Sequence, residues 1–270
     1  MKIDNEGRLA GKKVVLVGAG QTDGDTIGNG RAMAILFARQ GAEVFCVDNR
    51  LESAQQTVEL IQSEGGKAIA FKADITQPAD CQALIEEGHK TLGCIDILVN
   101  NVGIGAKDRK VAALEELVWD QIFDANLKGL WMVSKHALPV MKEQKGGVIL
   151  NISSIASRLY HGGTAYEVTK AGVNKLTESI AAGYAQYGIR CNAILPGLMD
   201  TPMAIEGTAN ATGMDTASVR ERRNKMVPLG RHQGSGWDTA YAALFLVSDE
   251  AKFITGILMP VDGGMSVKPS

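Results

Sequence analysis

The chain has 270 residues, 45% of them hydrophobic, which is ample apolar material for one large α/β domain or two small ones. Its formal net charge of -2 gives no electrostatic reason to expect nucleic acid or an anionic membrane as a partner. No apolar run approaches the roughly 20 residues of a membrane helix, the opening "MKIDNEGRLAGKK" lacks the apolar centre of a secretory signal, and Cys46, Cys81, Cys94 and Cys191 are scattered without metal-ligand spacing. These features predict a soluble, cytoplasmic protein with free thiols and no metal.

The first element is the apolar run "KVVLVG", and runs like it recur as "EVFCV", "KAIAFKA", "IDILVN", "GVILNIS", "IRCNAIL" and "GILMPVDGG". Between them lie segments with apolar residues at helical spacing, such as "NGRAMAILFARQG" and "LESAQQTVELIQSEGG", the latter closed by a glycine pair suited to a helix end. Strand, helix, strand in this rhythm predicts an α/β fold with a doubly wound parallel sheet and helices on both faces. The strands are nearly continuous in apolar residues, as expected where both faces are covered. With no linker, repeat or low-complexity tract, one domain over 1–270 is the economical reading.

Between the first strand and the first helix lies "GAGQTDGDTIGNGRA". A glycine-rich turn in that position lets a pyrophosphate approach the backbone and meet a helix N-terminus. Gly18, Gly28 and Gly30 are candidates for the close approach, with Asn29 at the helix start. Asp48, at the end of the second strand, can accept bonds from the adenosine ribose hydroxyls and repel a 2'-phosphate, which favours NAD over NADP. Arg50, two residues on, pulls the other way because a guanidinium accommodates that phosphate.

Further along, "NISSIASRLYHGGTAYEVTKAG" puts Tyr166 and Lys170 four apart, on one face of a helix. A tyrosine, with a reference pKa near 10, is a poor base until something favours its phenolate, and Lys170 supplies a positive charge. A hydroxyl from "NISS" can hold the substrate oxygen while Tyr166 exchanges its proton. The stretch 197–236, rich in methionine and small polar residues and longer than an ordinary connection, is read as a lid over the site. Lys107, Asp108, Arg109 and Lys110 read as a solvated loop. Tyr160, His161, Met199, Met203 and Met214 are candidates for a pocket of mixed character, with core packing the expectation for the methionines and an exposed loop for His161. Trp237 reads as a lid anchor or an interface residue.

In their order, these motifs resemble the short-chain dehydrogenase/reductase family over nearly the whole chain, which implies a Rossmann-like fold. "ILVNNVG" is similar to the family's NNAG signature, with Val102 in place of the usual alanine, and places Asn101 and Gly103 at the cofactor. "ADIT" supplies Asp74, which in similar proteins contacts the adenine, with Ile75 beside it. Asn126 in "FDANLKG" matches the asparagine that holds a water linking Lys170 to solvent. "RCNAILPGLMDT" matches the proline-glycine turn of Pro196 and Gly197, with Thr201 placed to bond the nicotinamide amide. The resemblance also makes Lys170 a ligand of the nicotinamide ribose, and implies a homotetramer formed through the helix bearing Tyr166 and the closing strand.

Two departures from the pattern stand out. Gly18 and Gly28 are ten apart where the family's spacing is four, so about six residues, roughly "QTDGDT", are inserted. Which of Gly18, Gly20, Gly24 and Gly28 approaches the phosphates stays open, and the insertion is expected to bulge outward near the adenosine end. The family's spacing to the tyrosine points to Ser153, whereas the last serine of "ISS" points to Ser154, the preferred choice.

The reading is reversible hydride transfer between NAD(H) and a secondary alcohol or its ketone, with Asn126, Ser154, Tyr166 and Lys170 as the catalytic set. An NADPH-dependent ketone or acyl-thioester reductase is the alternative within enzymes. A non-catalytic dinucleotide-sensing protein is the alternative from another class, and it predicts a broken catalytic set where this one is whole.

Overall fold

Every apolar run read as a strand becomes one. In the computed structural model, which describes residues 7–267, the strands are β1 (Lys13–Val17), β2 (Glu43–Asp48), β3 (Lys67–Lys72), β4 (Ile97–Asn100), β5 (Gly147–Ile152), β6 (Ile189–Pro196), the short β7 (Met199–Asp200) and β8 (Gly234–Ser235), and β9 (Leu258–Val261). Seven form one sheet in the order β3-β2-β1-β4-β5-β6-β9, every neighbouring pair parallel, while β7 and β8 pair only with each other.

The helices are α1 (Asn29–Arg39), α2 (Leu51–Ser63), α3 (Pro78–Leu92), α4 (Glu116–Phe123), α5 (Gly129–Gln144), α6 (Thr164–Tyr184), α7 (Pro202–Thr212), α8 (Thr216–Met226) and α9 (Gly236–Val247). Because side chains alternate along a strand, β1 feeds two cores at once. Val14 and Leu16 pack with Phe37, Ile61 and Leu244 of α1, α2 and α9, whereas Val15 and Val17 pack with Leu84, Met141 and Ile180 of α3, α5 and α6. Helix ends follow local chemistry: Pro78 opens α3, where its missing N–H costs nothing, and Gly93 closes it in the left-handed conformation at φ 84°.

From β1 the chain winds outward to β2 and β3, then crosses back to β4 and winds the other way. This reversal opens a crevice beyond the carboxyl ends of β1 and β4, where open α/β sheets bind ligands. The segment 197–236 is no irregular excursion: α7 and α8 fill it, and the β7–β8 clip closes its base. Trp237 is half-buried at the start of α9. Gly236 and Ala240 let α9 sit close on the α1 layer, so the indole packs there, with the Arg39 guanidinium 5.1 Å from its ring centroid.

Candidate active site

The crevice is built from backbone. Gly18, immediately after β1, takes φ 83°, and a Cβ on Gly30 would collide with the Gly18 carbonyl oxygen, so the first turn of α1 lies directly on the strand end. Asn101, following β4, donates from Nδ2 to that same Gly18 carbonyl at 2.8 Å and locks the two sides of the crevice. The start of α1 has no side-chain cap and no acidic residue in its first turn. Its N–H groups and dipole therefore suit an anion, and the crevice fits the pyrophosphate of a dinucleotide. Gly28 makes no comparable demand, since a Cβ there would meet only the Gln21 side chain, at 3.2 Å.

Asp48 ends β2, its Oδ2 accepting from the Gly20 N–H at 3.1 Å and its Oδ1 from the Arg50 N–H at 3.0 Å. A carboxylate so held keeps spare lone pairs for ribose hydroxyls. The Arg50 guanidinium donates to the Gln21 carbonyl at 2.6 Å. Asp74 accepts from the Thr76 N–H and hydroxyl, and Ile75 is buried against Gly129. At the other end, Gly197 approaches so closely that a Cβ would lie 2.7 Å from the Asp262 Cα, holding the ends of β6 and β9 together beside Pro196; Thr201 is buried at the start of α7.

The reactive groups converge on α6. Lys170 is 2% exposed; its Nζ donates to the Ile152 carbonyl at 2.9 Å and lies 5.6 Å from the Tyr166 ring centroid. Burial pulls its ammonium down to about 8. Burial likewise pushes the Tyr166 phenol above its ordinary value, and a hydrogen bond from Ser154 pulls it partly back. The two adjacent serines face opposite ways. Ser153 is buried and donates to the Lys170 carbonyl at 3.0 Å, whereas Ser154 accepts from the Ala156 N–H at 3.1 Å, which leaves its own hydrogen free for the phenol. His161 lies beside them, its ring centroid 5.7 Å from that of Tyr166.

Asn126 sits in a π turn, Asp124–Lys128, between α4 and α5. Its side chain clamps the loop after β4, with Oδ1 accepting from the Ile104 N–H at 2.7 Å and Nδ2 donating to the Ile104 carbonyl at 2.8 Å. That clamp lays Gly103 against Lys170, where a Cβ would stand 3.0 Å from Nζ, and Gly105 against the Tyr166 ring. Asn126, Ser154, Tyr166 and Lys170 are thus brought together.

Asp108 is the residue that the sequence reading missed. Instead of dangling in a solvated loop, its carboxylate accepts from the N–H groups of Ala165 at 3.2 Å and Tyr166 at 2.8 Å, capping α6 from 57 residues away. Such a cap satisfies two orphan donors and places negative charge at the positive helix end. Glu167 adds a local counterpart, accepting from the His161 and Gly162 N–H groups at 2.6 and 2.7 Å. Asp108→Ala is expected to cost about 1 kcal/mol, lowering Tm by about 2–4 °C, which thermal melts measure.

In the segment 197–236, Arg220 pairs with Asp200 at 3.2 Å, and Arg223 donates to the Met199 carbonyl and the Gln233 amide oxygen, both at 2.9 Å. Met199 is buried and Met203 exposed.

A family model described as "Enoyl-(Acyl carrier protein) reductase" matches residues 25–266. The chain is 36% identical over 268 residues to the oxidoreductase UcpA of Salmonella typhimurium, covering 98% of each chain. A crystal structure described as a short-chain dehydrogenase/reductase from Burkholderia xenovorans superposes with a TM-score of 0.89 at 38% identity, over 98% of this chain and 100% of that one. Carveol dehydrogenase from Mycobacterium avium, in complex with NAD, does so with a TM-score of 0.89 at 27% identity, over 97% and 100%. Sheet order, crevice and these likenesses agree: the chain is an oxidoreductase belonging to the short-chain dehydrogenase/reductase family.

Proposed function

We propose that the protein transfers hydride reversibly between NAD(H) and a secondary alcohol or its ketone, with Ser154, Tyr166, Lys170 and Asn126 as the working set. The observation that carries this reading is the pairing on α6 of the Tyr166 ring with the buried Lys170 ammonium, whose Nζ lies 5.6 Å from the ring centroid. In the oxidative direction the alcohol loses its proton to the Tyr166 Oη while the Ser154 hydroxyl holds the same oxygen. When bound, the nicotinamide supplies hydride acceptance and release. Lys170 favours the phenolate through its charge and binds the nicotinamide ribose, and Asn126 holds the water that relays the proton from Lys170 to solvent. Acid-base help of this kind is worth roughly 100- to 10,000-fold.

Gly18, Gly28, Asn29 and Gly30 would hold the pyrophosphate, Asp48 the adenosine ribose, and Asp74 and Ile75 the adenine. Asn101, Gly103, Pro196, Gly197 and Thr201 would frame the nicotinamide half. NAD is favoured over NADP because the Asp48 carboxylate is fixed by two N–H donors while the Arg50 guanidinium is engaged with Gln21. The segment 197–236 serves as the substrate lid of a single domain. Assembly as a homotetramer through α6 and β9 is supported by the position of β9 at the sheet edge and by the apolar groove of Phe123, Leu127, Trp131 and Leu176 beside α6. Four free thiols, three of them buried, suit the reducing cytoplasm.

A panel of secondary alcohols, polyols and hydroxy acids, offered with NAD and with NADP and followed by absorbance of the reduced cofactor, tests the reading. At least one alcohol should turn over with NAD, at a kcat/KM about tenfold or more above that with NADP. Turnover with neither cofactor removes the dehydrogenase reading, and a preference for NADP gives way to the reductase alternative.

A further inference from the structure

We infer that the insertion in the glycine turn is a strap that ties the cofactor crevice to the substrate lid, so that release of the dinucleotide and opening of α7 are one movement. The inference rests on the proposed dinucleotide site. The root of the strap is anchored at the adenosine end: the Gln21 N–H donates to Ser53 Oγ at 2.9 Å, and the Gln21 carbonyl accepts from Ser53 Oγ at 3.0 Å and from Arg50. Its neck is stapled by the Gln21 side chain, which accepts from the Gly28 N–H at 2.9 Å and donates to the Thr26 carbonyl at 3.3 Å. The tip rests on the lid. A Cβ on Gly24 would lie 2.9 Å from the Pro202 Cβ and 3.4 Å from the Glu206 Cγ, so the backbone itself packs on the first turns of α7.

Reach explains the length of the insertion. Six residues sent out and back add about 10 Å, which a four-residue turn lacks. The contact therefore corrects the expectation of a bulge at the adenosine end alone: the strap starts there and ends on α7. Pro202 directly follows Thr201, so the strap joins the two protein elements that would grip opposite parts of the dinucleotide. A second observation points to a ligand beneath it. The Thr26 hydroxyl, two residues before Gly28, is buried without a hydrogen-bond partner. A buried unpaired hydroxyl is costly unless a bound acceptor such as a phosphate oxygen takes its proton. Gln21 is then a positioning residue, since its side chain orients the Gly28 peptide at the start of α1.

The test is the rate at which bound NADH leaves, read by stopped-flow fluorescence after chasing with excess NAD. Deleting residues 21 to 26 restores the four-residue spacing and should speed release at least tenfold. Paired Gly24→Cys and Glu206→Cys substitutions should do the reverse, because a Cβ on Gly24 would stand 3.4 Å from the Glu206 Cγ and a bond there would fix the tip to α7. Oxidised, this variant should release NADH at least tenfold more slowly, and dithiothreitol should restore the native rate. If the deletion variant does not fold, the disulfide pair decides alone. Release rates unchanged in the folded variants overturn the strap, whereas a native protein that binds no NADH overturns the dinucleotide reading instead.

Discussion

Tyr166→Phe is expected to lower kcat by about 1,000-fold while NADH affinity stays within about twofold, in keeping with the loss of one acid-base group. The substitution removes a single oxygen and leaves the ring, which is held by Gly105 on one side and lies near His161 and Lys170. Nothing that shapes the cofactor crevice depends on that oxygen. Steady-state rates with the best alcohol, together with a fluorescence titration of NADH, separate the two effects. Native-like turnover in the variant would sink the assignment of Tyr166 as the proton acceptor.

Lys170→Met should abolish most activity and yet make the free protein more stable at neutral pH. The ammonium is 2% exposed and its pKa is drawn down from 10.5 to about 8, so the native state binds its proton more weakly than the unfolded chain does. A depression of that size costs about 3 kcal/mol at pH 7. Methionine escapes the cost but leaves the Ile152 carbonyl without its 2.9 Å partner, which returns about 1–3 kcal/mol. The net gain is about 1 kcal/mol. Its pH dependence identifies its origin. The penalty is complete below pH 8, shrinks as pH rises from about 8 to 10.5, and is gone above, so the variant's advantage should shrink across that window and then reverse, leaving the variant less stable by the lost hydrogen bond. Denaturant melts at pH 7 and pH 10 measure it. An advantage that is the same at both would assign the effect to packing.

The parts of this molecule visible in its sequence are those written in neighbouring residues. Seven apolar runs announced seven strands because burial on both faces leaves no polar alternation to confuse them. Tyr166 and Lys170 were legible because helical spacing alone places them on one face. The choice between Ser153 and Ser154 was not, because side chains alternate at a strand end: the Ser153 hydroxyl turns in to the Lys170 carbonyl, whereas the Ser154 oxygen faces the Ala156 N–H. Asp108 was illegible for a different reason. A cap supplied across 57 residues carries no local signature, and among Lys107, Arg109 and Lys110 it looks like any charged loop residue. The path of the insertion was hidden in the same way, since its end point is Pro202, nearly the whole sheet later in the chain.

The π turn at Asp124–Lys128 has a consequence for how this sequence can drift. There the Gly129 N–H reaches back five residues, to the Asp124 carbonyl, instead of four, so one residue more than a regular helix requires is held between α4 and α5. Substitutions on its exposed face are absorbed one side chain at a time, whereas Asn126, held to Ile104, and the buried Ala125 are fixed in kind. Loss of a single codon would close the wide turn to regular helix, and Asn126, which the extra residue brings opposite Ile104, would lose that place. The turn is therefore constrained in length as well as at Asn126.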